Sequence, residues 1–313
     1  MKEFGGDWTE RKLNALLAYA RAYLQVFKHQ QWAETIYFDG FAGSGNAKIL
    51  PYSGNVMIDS IDNTTPADFR VYEGAARQMV MMDNASFDYY LLVDKDPSNY
   101  ESLQNLQYEA THLPPGSIIV EQGDSNLALN TLIKMMKLDK GRRALLFLDP
   151  FGMQMDWKSI AQLKEVNYDK GGVDLWLLVP TGVAINRLIP KNPDKRHPGN
   201  EKKLEQFFGL SIDKIRDFLY QHPADKRMET GLISLFDLME DEEIDEPLEK
   251  VSQPIEKIMD IYRAQLQTIW KHVTEKPLVL KNSRNTPIFH FVFASNNPTA
   301  MRIATDIIDK RQE

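Results

Sequence analysis

Thr35-Ile36-Tyr37-Phe38-Asp39-Gly40-Phe41-Ala42-Gly43-Ser44-Gly45 reads as a buried strand running into a glycine-rich loop. Ile36, Tyr37 and Phe38 are strand formers in a short apolar run, and Asp39 closes it. Three glycines follow within six residues. There the backbone can take positive φ or approach a ligand closely. In open α/β sheets, ligands bind at the carboxyl ends of the strands, which is where this loop is expected.

Two rival glycine loops are tested by the residues themselves. Gly40 and Gly45 have the spacing of a P-loop, but Asn46 and Ala47 stand where Lys and Ser or Thr would be needed. Gly43 and Gly45 open a dinucleotide fingerprint, but Lys48 takes the place of the third glycine. The remaining readings are a loop for another nucleoside cofactor, S-adenosylmethionine being preferred, and a tight turn without a ligand.

Outward from this loop, strands and helices alternate. Tyr89–Val93, Ser117–Val120, Ala144–Leu148 and Asp174–Val179 read as strands, with helices expected over 72–83 and 126–137 and from Pro97. This alternation indicates a doubly wound, mostly parallel α/β sheet of Rossmann-like type. Residues 7–27 form an amphipathic docking helix with Asp7 and Glu10 spaced as a capping box. Its apolar stripe reads as core and not as a cofactor contact. Residues 46–70 read as a long irregular loop. Gly74, Ala75 and Ala76 leave room either for a ligand or for tight helix packing. From about 183 the pattern turns helical, over 201–220 and from Ser252 and Pro254 onward. Pro287–Ala294 is a returning strand, and 297–310 a terminal helix. The expected organisation is a docking helix (1–34), a Rossmann domain (35–182 with 277–313) and a helical insertion (183–276).

Three acids fall at strand ends. Asp94 follows the second strand, where a carboxylate can accept from both hydroxyls of a ribose; Asp94 and Asp96 could alternatively cap the helix at Pro97, with Asp96 the better cap. Asp124 could accept from an adenine amino group or cap the next helix. Asp149-Pro150-Phe151-Gly152 follows the fourth strand. A carboxylate and a neighbouring carbonyl there can accept the two N–H groups of an exocyclic amine, while an aromatic ring holds the base flat. A plain strand-to-loop turn is the alternative.

Composition narrows the classes. The chain has 313 residues, 43% of them hydrophobic, enough for one large α/β domain with an insertion or for two domains. It has no cysteine, which removes disulfides, thiolate metal sites and cysteine nucleophiles. The six histidines form no metal-binding spacing. No apolar run approaches the roughly 18 residues needed to cross a bilayer, so a soluble cytoplasmic protein without membrane contact is expected. Net charge is −7, so nucleic acid could be met only by a local patch such as the basic stretch 187–203. The acidic run 240–249 and the helical insertion could serve as a protein-docking surface. Neither a G-x-S-x-G nor a Ser/His constellation supports a hydrolase.

Asp39-Gly40-Phe41-Ala42-Gly43-Ser44-Gly45 resembles motif I of class I S-adenosylmethionine-dependent methyltransferases, especially those acting on base amino groups. The resemblance implies that Asp39, Gly40, Phe41, Gly43 and Gly45 hold the cofactor's methionine end, Asp94 its ribose and Asp124 its adenine. Asp149, Pro150 and Phe151 fall where those enzymes carry [DN]-P-P-[YF], with the second proline missing and the aromatic one place early. Over nearly the whole chain, WTERKLNALLAYARAYL, YFDGFAGSG, LLVDKDPSN, LFLDPFGMQMDW and FHFVFASNNPTAMRIATDII resemble the three-Cys-motif partner (TcmP) family. Glu73–Arg77 departs from that family's central glycine-serine-proline stretch. The resemblance implies a methyltransferase-like protein associated with a three-cysteine, radical-SAM-like partner, and it supplies no substrate. A non-catalytic protein of this fold, binding another protein and possibly nucleic acid, is the second reading.

Overall fold

The computed structural model describes residues 6–30, 32–49, 70–169, 171–192, 195, 197–221 and 248–312. The side chain of Asp7, nearly all of the acidic run 240–249 and residues 50–69 of the expected loop lie outside these residues.

The chain begins with α1 (Gly6–Phe27) and β1 (Thr35–Asp39). β2 (Asn46–Ile49) and β3 (Arg70–Glu73) then pair antiparallel, so the segment read as an irregular loop starts and ends in a two-stranded ribbon. Tyr72 and Glu73, expected at the head of a helix, are the last residues of β3, and α2 is confined to Ala75–Val80. Gly74 separates them: its N–H donates to Gly45 O at 2.5 Å, and a Cβ there would lie 2.9 Å from that oxygen. Its smallness therefore serves the glycine loop itself.

Next come β4 (Tyr89–Asp94), α3 (Pro97–Glu109), β5 (Ile118–Gln122), α4 (Ser125–Leu138), β6 (Arg143–Leu148), α5 (Trp157–Ala161) and β7 (Val173–Val179). A π-helical turn, Thr181–Ile185, leads into the helices α6 (Pro198–Phe208), α7 (Ile212–Leu219) and α8 (Pro254–Leu266). The single helix expected over 201–220 is broken at Gly209. That residue has φ +65°, and a Cβ there would overlap the Trp157 ring. The short strands β8 (Tyr220–Gln221) and β9 (Glu249–Lys250) pair with each other. The chain ends with β10 (His272–Val273), β11 (Leu278–Lys281), β12 (Pro287–Ser295) and α9 (Pro298–Gln312).

The main sheet runs β10-β12-β7-β6-β1-β4-β5, with β11 also paired to β12. β5, β4, β1, β6 and β7 are mutually parallel, and β12 is antiparallel to β7. This is a mostly parallel, doubly wound α/β fold. Period-two alternation builds two cores from the same strands. Ile36, Phe38, Leu146, Leu148, Leu175 and Val292 face one side, where α4 to α8 cover them. Tyr37, Leu145, Phe147, Trp176, Phe291 and Phe293 face the other, under α1, α3 and α9. The helices after β7 therefore share the sheet's own core: Leu204, Phe207, Ile215 and Tyr262 belong to the first cluster.

Candidate functional site

Asp39, Asp94, Gln122 and Leu148 end four neighbouring parallel strands, and the glycine loop lies over that edge. The loop needs its glycines. Gly43 and Gly45 have φ of +60° and +76°, the left-handed region that favours glycine. A Cβ on Gly40 would meet the Leu148 Cδ2 at 2.7 Å and the Phe38 ring at 3.2 Å, so any side chain there would have to displace the packing of those residues. Gly43, by contrast, has nothing among the described residues within 4 Å of where a Cβ would be.

Asp94 ties this loop down. One oxygen accepts from Gly43 N at 2.9 Å, the other from Asp96 N at 2.8 Å and Asn99 Nδ2 at 3.2 Å. Both oxygens are thus already engaged, and a ribose would have to share or replace these donors. Asp96 caps α3, as Pro97 in the first turn predicts, accepting from Ser98 N and Asn99 N. These contacts hold its carboxyl below the usual carboxylate range, the Ser98 hydroxyl contributing most. Asp124, left open between an adenine contact and a cap, caps α4 through Asn126 N at 2.8 Å and is exposed.

Asp39 is fully buried. Its carboxylate accepts from Phe41 N at 3.1 Å and from the Tyr37 hydroxyl at 3.2 Å. Burial pushes its pKa up to about 7, and the negative charge of Asp149 adds to the rise; the Phe41 N–H, the Tyr37 hydroxyl and Lys12 oppose it. The β1–β6 register explains this proximity. Asp39 pairs with Phe147, and Asp149 lies two residues on, facing the same side.

On that side lies α1. Lys12, only 4% exposed, forms an ion pair with Asp149. Its ammonium also sits 5.4 Å from the Trp8 ring centre and 5.8 Å from that of Phe147. The sequence reading missed this residue. α1 is a core helix in most of its length, as its periodicity predicts, but its first turns bring a cation to the strand ends. The available signal was a lysine at position 12 directly before Leu13, the first residue of the apolar stripe.

The Asp149–Asp156 loop is fixed from α4. Asn126 donates to Gln154 O and accepts from Asp156 N, both at 2.8 Å, and Phe151 N donates to Gln154 Oε1 at 2.8 Å. Pro150 is buried while Phe151 is 90% exposed, so its ring stands free. Gly152 has φ +75°. An aromatic one place later, as in [DN]-P-P-[YF], would be forced into that left-handed conformation, and here the ring precedes it. Among the described residues no group of acidic or histidine side chains is placed to hold a metal ion, and no helix is long and apolar enough to cross a membrane.

A cationic nucleoside cofactor can be tested against this site. Asp39 is a buried carboxylate with two long hydrogen bonds and, among the described residues, no ion pair, below the loop that carries Gly43. Such a group is suited to an arriving cation. The ribose role of Asp94 fits less directly, since the loop already uses it.

No protein-family model matches the chain, and no curated protein matches it. Among solved structures the chain is similar to protein LPL1258 from Legionella pneumophila, of the family DUF519, with a TM-score of 0.39, 16% identity, and coverage of 66% of this chain and 76% of that one. It is also similar to Trm1 from Pyrococcus horikoshii, solved in complex with S-adenosyl-L-methionine, with a TM-score of 0.39, 9% identity, and coverage of 96% of this chain and 57% of that one.

Proposed function

We propose that this protein is an S-adenosylmethionine-dependent methyltransferase acting on an amino group of a nucleic acid or nucleotide-like substrate. The observation that carries the reading is the buried carboxylate of Asp39, without an ion pair among the described residues, at the foot of the left-handed Gly43–Gly45 loop. Asp39, Gly40, Phe41, Gly43 and Gly45 would hold the cofactor's methionine end, Asp94 its ribose and Asp124 its adenine. The cofactor supplies an electrophilic methyl group on a sulfonium. The chain's own part is positioning. Asp149 and the Pro150 carbonyl accept the amine N–H groups, which concentrates electron density on nitrogen. Phe151, exposed beside Asp149, would offer a stacking face. The resemblance to the TcmP family supports the same reading and adds a three-Cys-motif protein as a proposed partner. The basic residues of 187–203 are proposed to meet phosphates. Titration calorimetry with S-adenosylmethionine tests the proposal: saturable micromolar heat is expected, and a folded protein showing none overturns it.

One observation favours the second reading, a non-catalytic protein of this fold that binds another protein. Asp149 is already paired with Lys12, and both oxygens of Asp94 are taken by protein donors. If that state persists when the cofactor site is filled, Asp149→Ala leaves the cellular phenotype intact. Loss of the phenotype with folding and partner binding unchanged removes this reading.

A further inference from the structure

A cavity of about 180 Å³ lies at the opposite edge of the sheet from the glycine loop, between α1, α9 and the first residues of β6 and β7. That is the amino-terminal edge of the parallel strands, where the general rule for α/β sheets expects no ligand. Tyr23, Phe27, Trp32 and Ile303 contribute apolar walls.

Three observations at its polar end point to a ligand. Arg143, half-buried at the start of β6, uses Nη1 for the carbonyls of Lys140 and Arg142, at 2.9 and 2.7 Å. Among the described residues no carboxylate pairs with it, and its Nε and Nη2 donors remain unassigned. Trp32 packs 4.7 Å from the guanidinium. The Tyr23 side chain is 6% exposed, and its hydroxyl makes no hydrogen bond among the described residues. That hydroxyl stays protonated: burial and the charge of Asp174 raise its pKa well above the ordinary value, and Arg143 opposes the rise. Among the described residues it is a donor without a protein acceptor, on the wall of the cavity with a cation that has no carboxylate partner. Asp174 does not fill either need. Its oxygens already accept from the Tyr19 hydroxyl at 2.6 Å and the Ser295 hydroxyl at 2.5 Å.

We propose that this cavity is a binding site for a small monoanionic carboxylate with an aromatic or branched apolar body. Arg143 and Tyr23 would hold the carboxylate, and Phe27, Trp32 and Ile303 the body. Size and charge both limit the ligand. A dry cavity of roughly 150 Å³ accommodates benzene, so one aromatic ring with a short acid arm matches the space. A dianionic phosphate is disfavoured by Asp174 on one side and by there being one arginine to receive it. The site is separate from the glycine loop, so its test does not depend on methyl-transfer chemistry.

Phenylacetate is the probe, with phenylethanol as its neutral counterpart and inorganic phosphate as a second anion, followed by amide chemical-shift titration of the full chain. Phenylacetate is expected to give saturable shifts at Tyr23, Arg143 and the start of α9. Phenylethanol should bind about tenfold more weakly, the usual worth of a charge-assisted hydrogen-bonded contact. Tyr23→Phe removes a hydroxyl that holds nothing in the protein, so its melting temperature should match the wild type while phenylacetate affinity falls several-fold. Arg143→Met should weaken it by tenfold or more. Added S-adenosylmethionine should not compete. The proposal is overturned by equal affinity for phenylacetate and phenylethanol, by phosphate shifting the same resonances more strongly, by unchanged affinity in Tyr23→Phe, or by the absence of saturable shifts.

Discussion

Two buried carboxylates, at opposite ends of the same parallel sheet, are served very differently. Asp174, at the start of β7, receives two hydroxyl donors at 2.6 and 2.5 Å from α1 and β12. Asp39, at the end of β1, receives one N–H at 3.1 Å and one hydroxyl at 3.2 Å. Burial raises both, to about 6 for Asp174 and about 7 for Asp39. Their hydrogen bonds oppose the shift in each case, and at Asp39 the charge of Asp149 works against them. Asp174 is a fastener joining α1, β7 and β12. Asp39 is left short of stabilising partners at the end where a ligand is expected. A buried charge tolerated without adequate partners is a reason to suspect function, whereas one with them is accounted for by the fold.

The sharpest way to break this contrast is to remove each carboxylate. Asp174→Ala strands the Tyr19 and Ser295 hydroxyls in the core and should cost about 3 kcal/mol of stability in urea melts, with S-adenosylmethionine affinity unchanged. Asp174→Asn keeps an acceptor for one hydroxyl and turns an N–H donor toward the other, so it should recover only part of that loss. At Asp39 the outcome should invert. Asp39→Asn is expected to weaken S-adenosylmethionine binding by about a hundredfold, on the order of 2.7 kcal/mol, while the folded protein becomes more stable. A carboxyl raised in the folded state binds a proton there that the unfolded chain gives up, between roughly pH 4 and pH 7. Its contribution to stability is therefore lost as pH rises through that window. The gain from Asp39→Asn should be complete above about pH 7 and vanish below about pH 4. Thermal melts at pH 4.5 and 8 measure it. A variant destabilised at pH 8, or one that binds the cofactor normally, would erase the distinction between the two ends.

Titration sharpens the comparison further. If a cationic ligand needs Asp39 ionised, affinity should be flat above about pH 7 and fall by up to tenfold per unit below it. Calorimetry in buffers of different ionisation enthalpy should show a proton released on binding at pH 6.5 and none at pH 8.5. Proton uptake, or no pH dependence, would mean that Asp39 does not meet the ligand's charge.

What was legible in the sequence follows from range. Strand runs such as Leu145–Leu148 and turns such as Gly43–Gly45 are written in adjacent residues, so the parallel sheet and the left-handed loop could be read directly. The cap at Asp96 is local in the same sense. The β2–β3 ribbon was missed because its partners are separated by residues 50–69, whereas the helix break at Gly209 had a local signal that the helical reading of 201–220 passed over: a left-handed glycine with Ser211 opening the next helix. The Lys12–Asp149 pair spans 137 positions and exists only once α1 is laid on the sheet. Periodicity identified α1 as a core helix but could not say which strand ends its first turns would reach. The Tyr23 hydroxyl, unbonded among the described residues, was invisible for the same reason: only packing shows which polar groups find partners.

Lys12 offers the smallest but most specific of these effects. α1 lies along the sheet face with Lys12 at the carboxyl ends, Tyr19 on Asp174 and Tyr23 by the amino-end cavity. Eleven residues of helix cover about 16 Å, comparable to a strand of five, so one rigid element touches both ends. Among the charges acting on Asp39, Lys12 lowers its pKa and Asp149 raises it. Lys12→Met preserves the volume in the buried position and deletes only the cation. Asp39 should then titrate at higher pH, and the fall in S-adenosylmethionine affinity should begin above pH 7, a several-fold loss at neutral pH. Carboxyl-carbon NMR of Asp39 reads the shift directly. Asp174, shielded by Tyr19 and Ser295, should titrate as before. If Asp39 does not move, Lys12 acts on Asp149 alone, and the first turns of α1 gate the substrate side of the cleft without tuning the cofactor side.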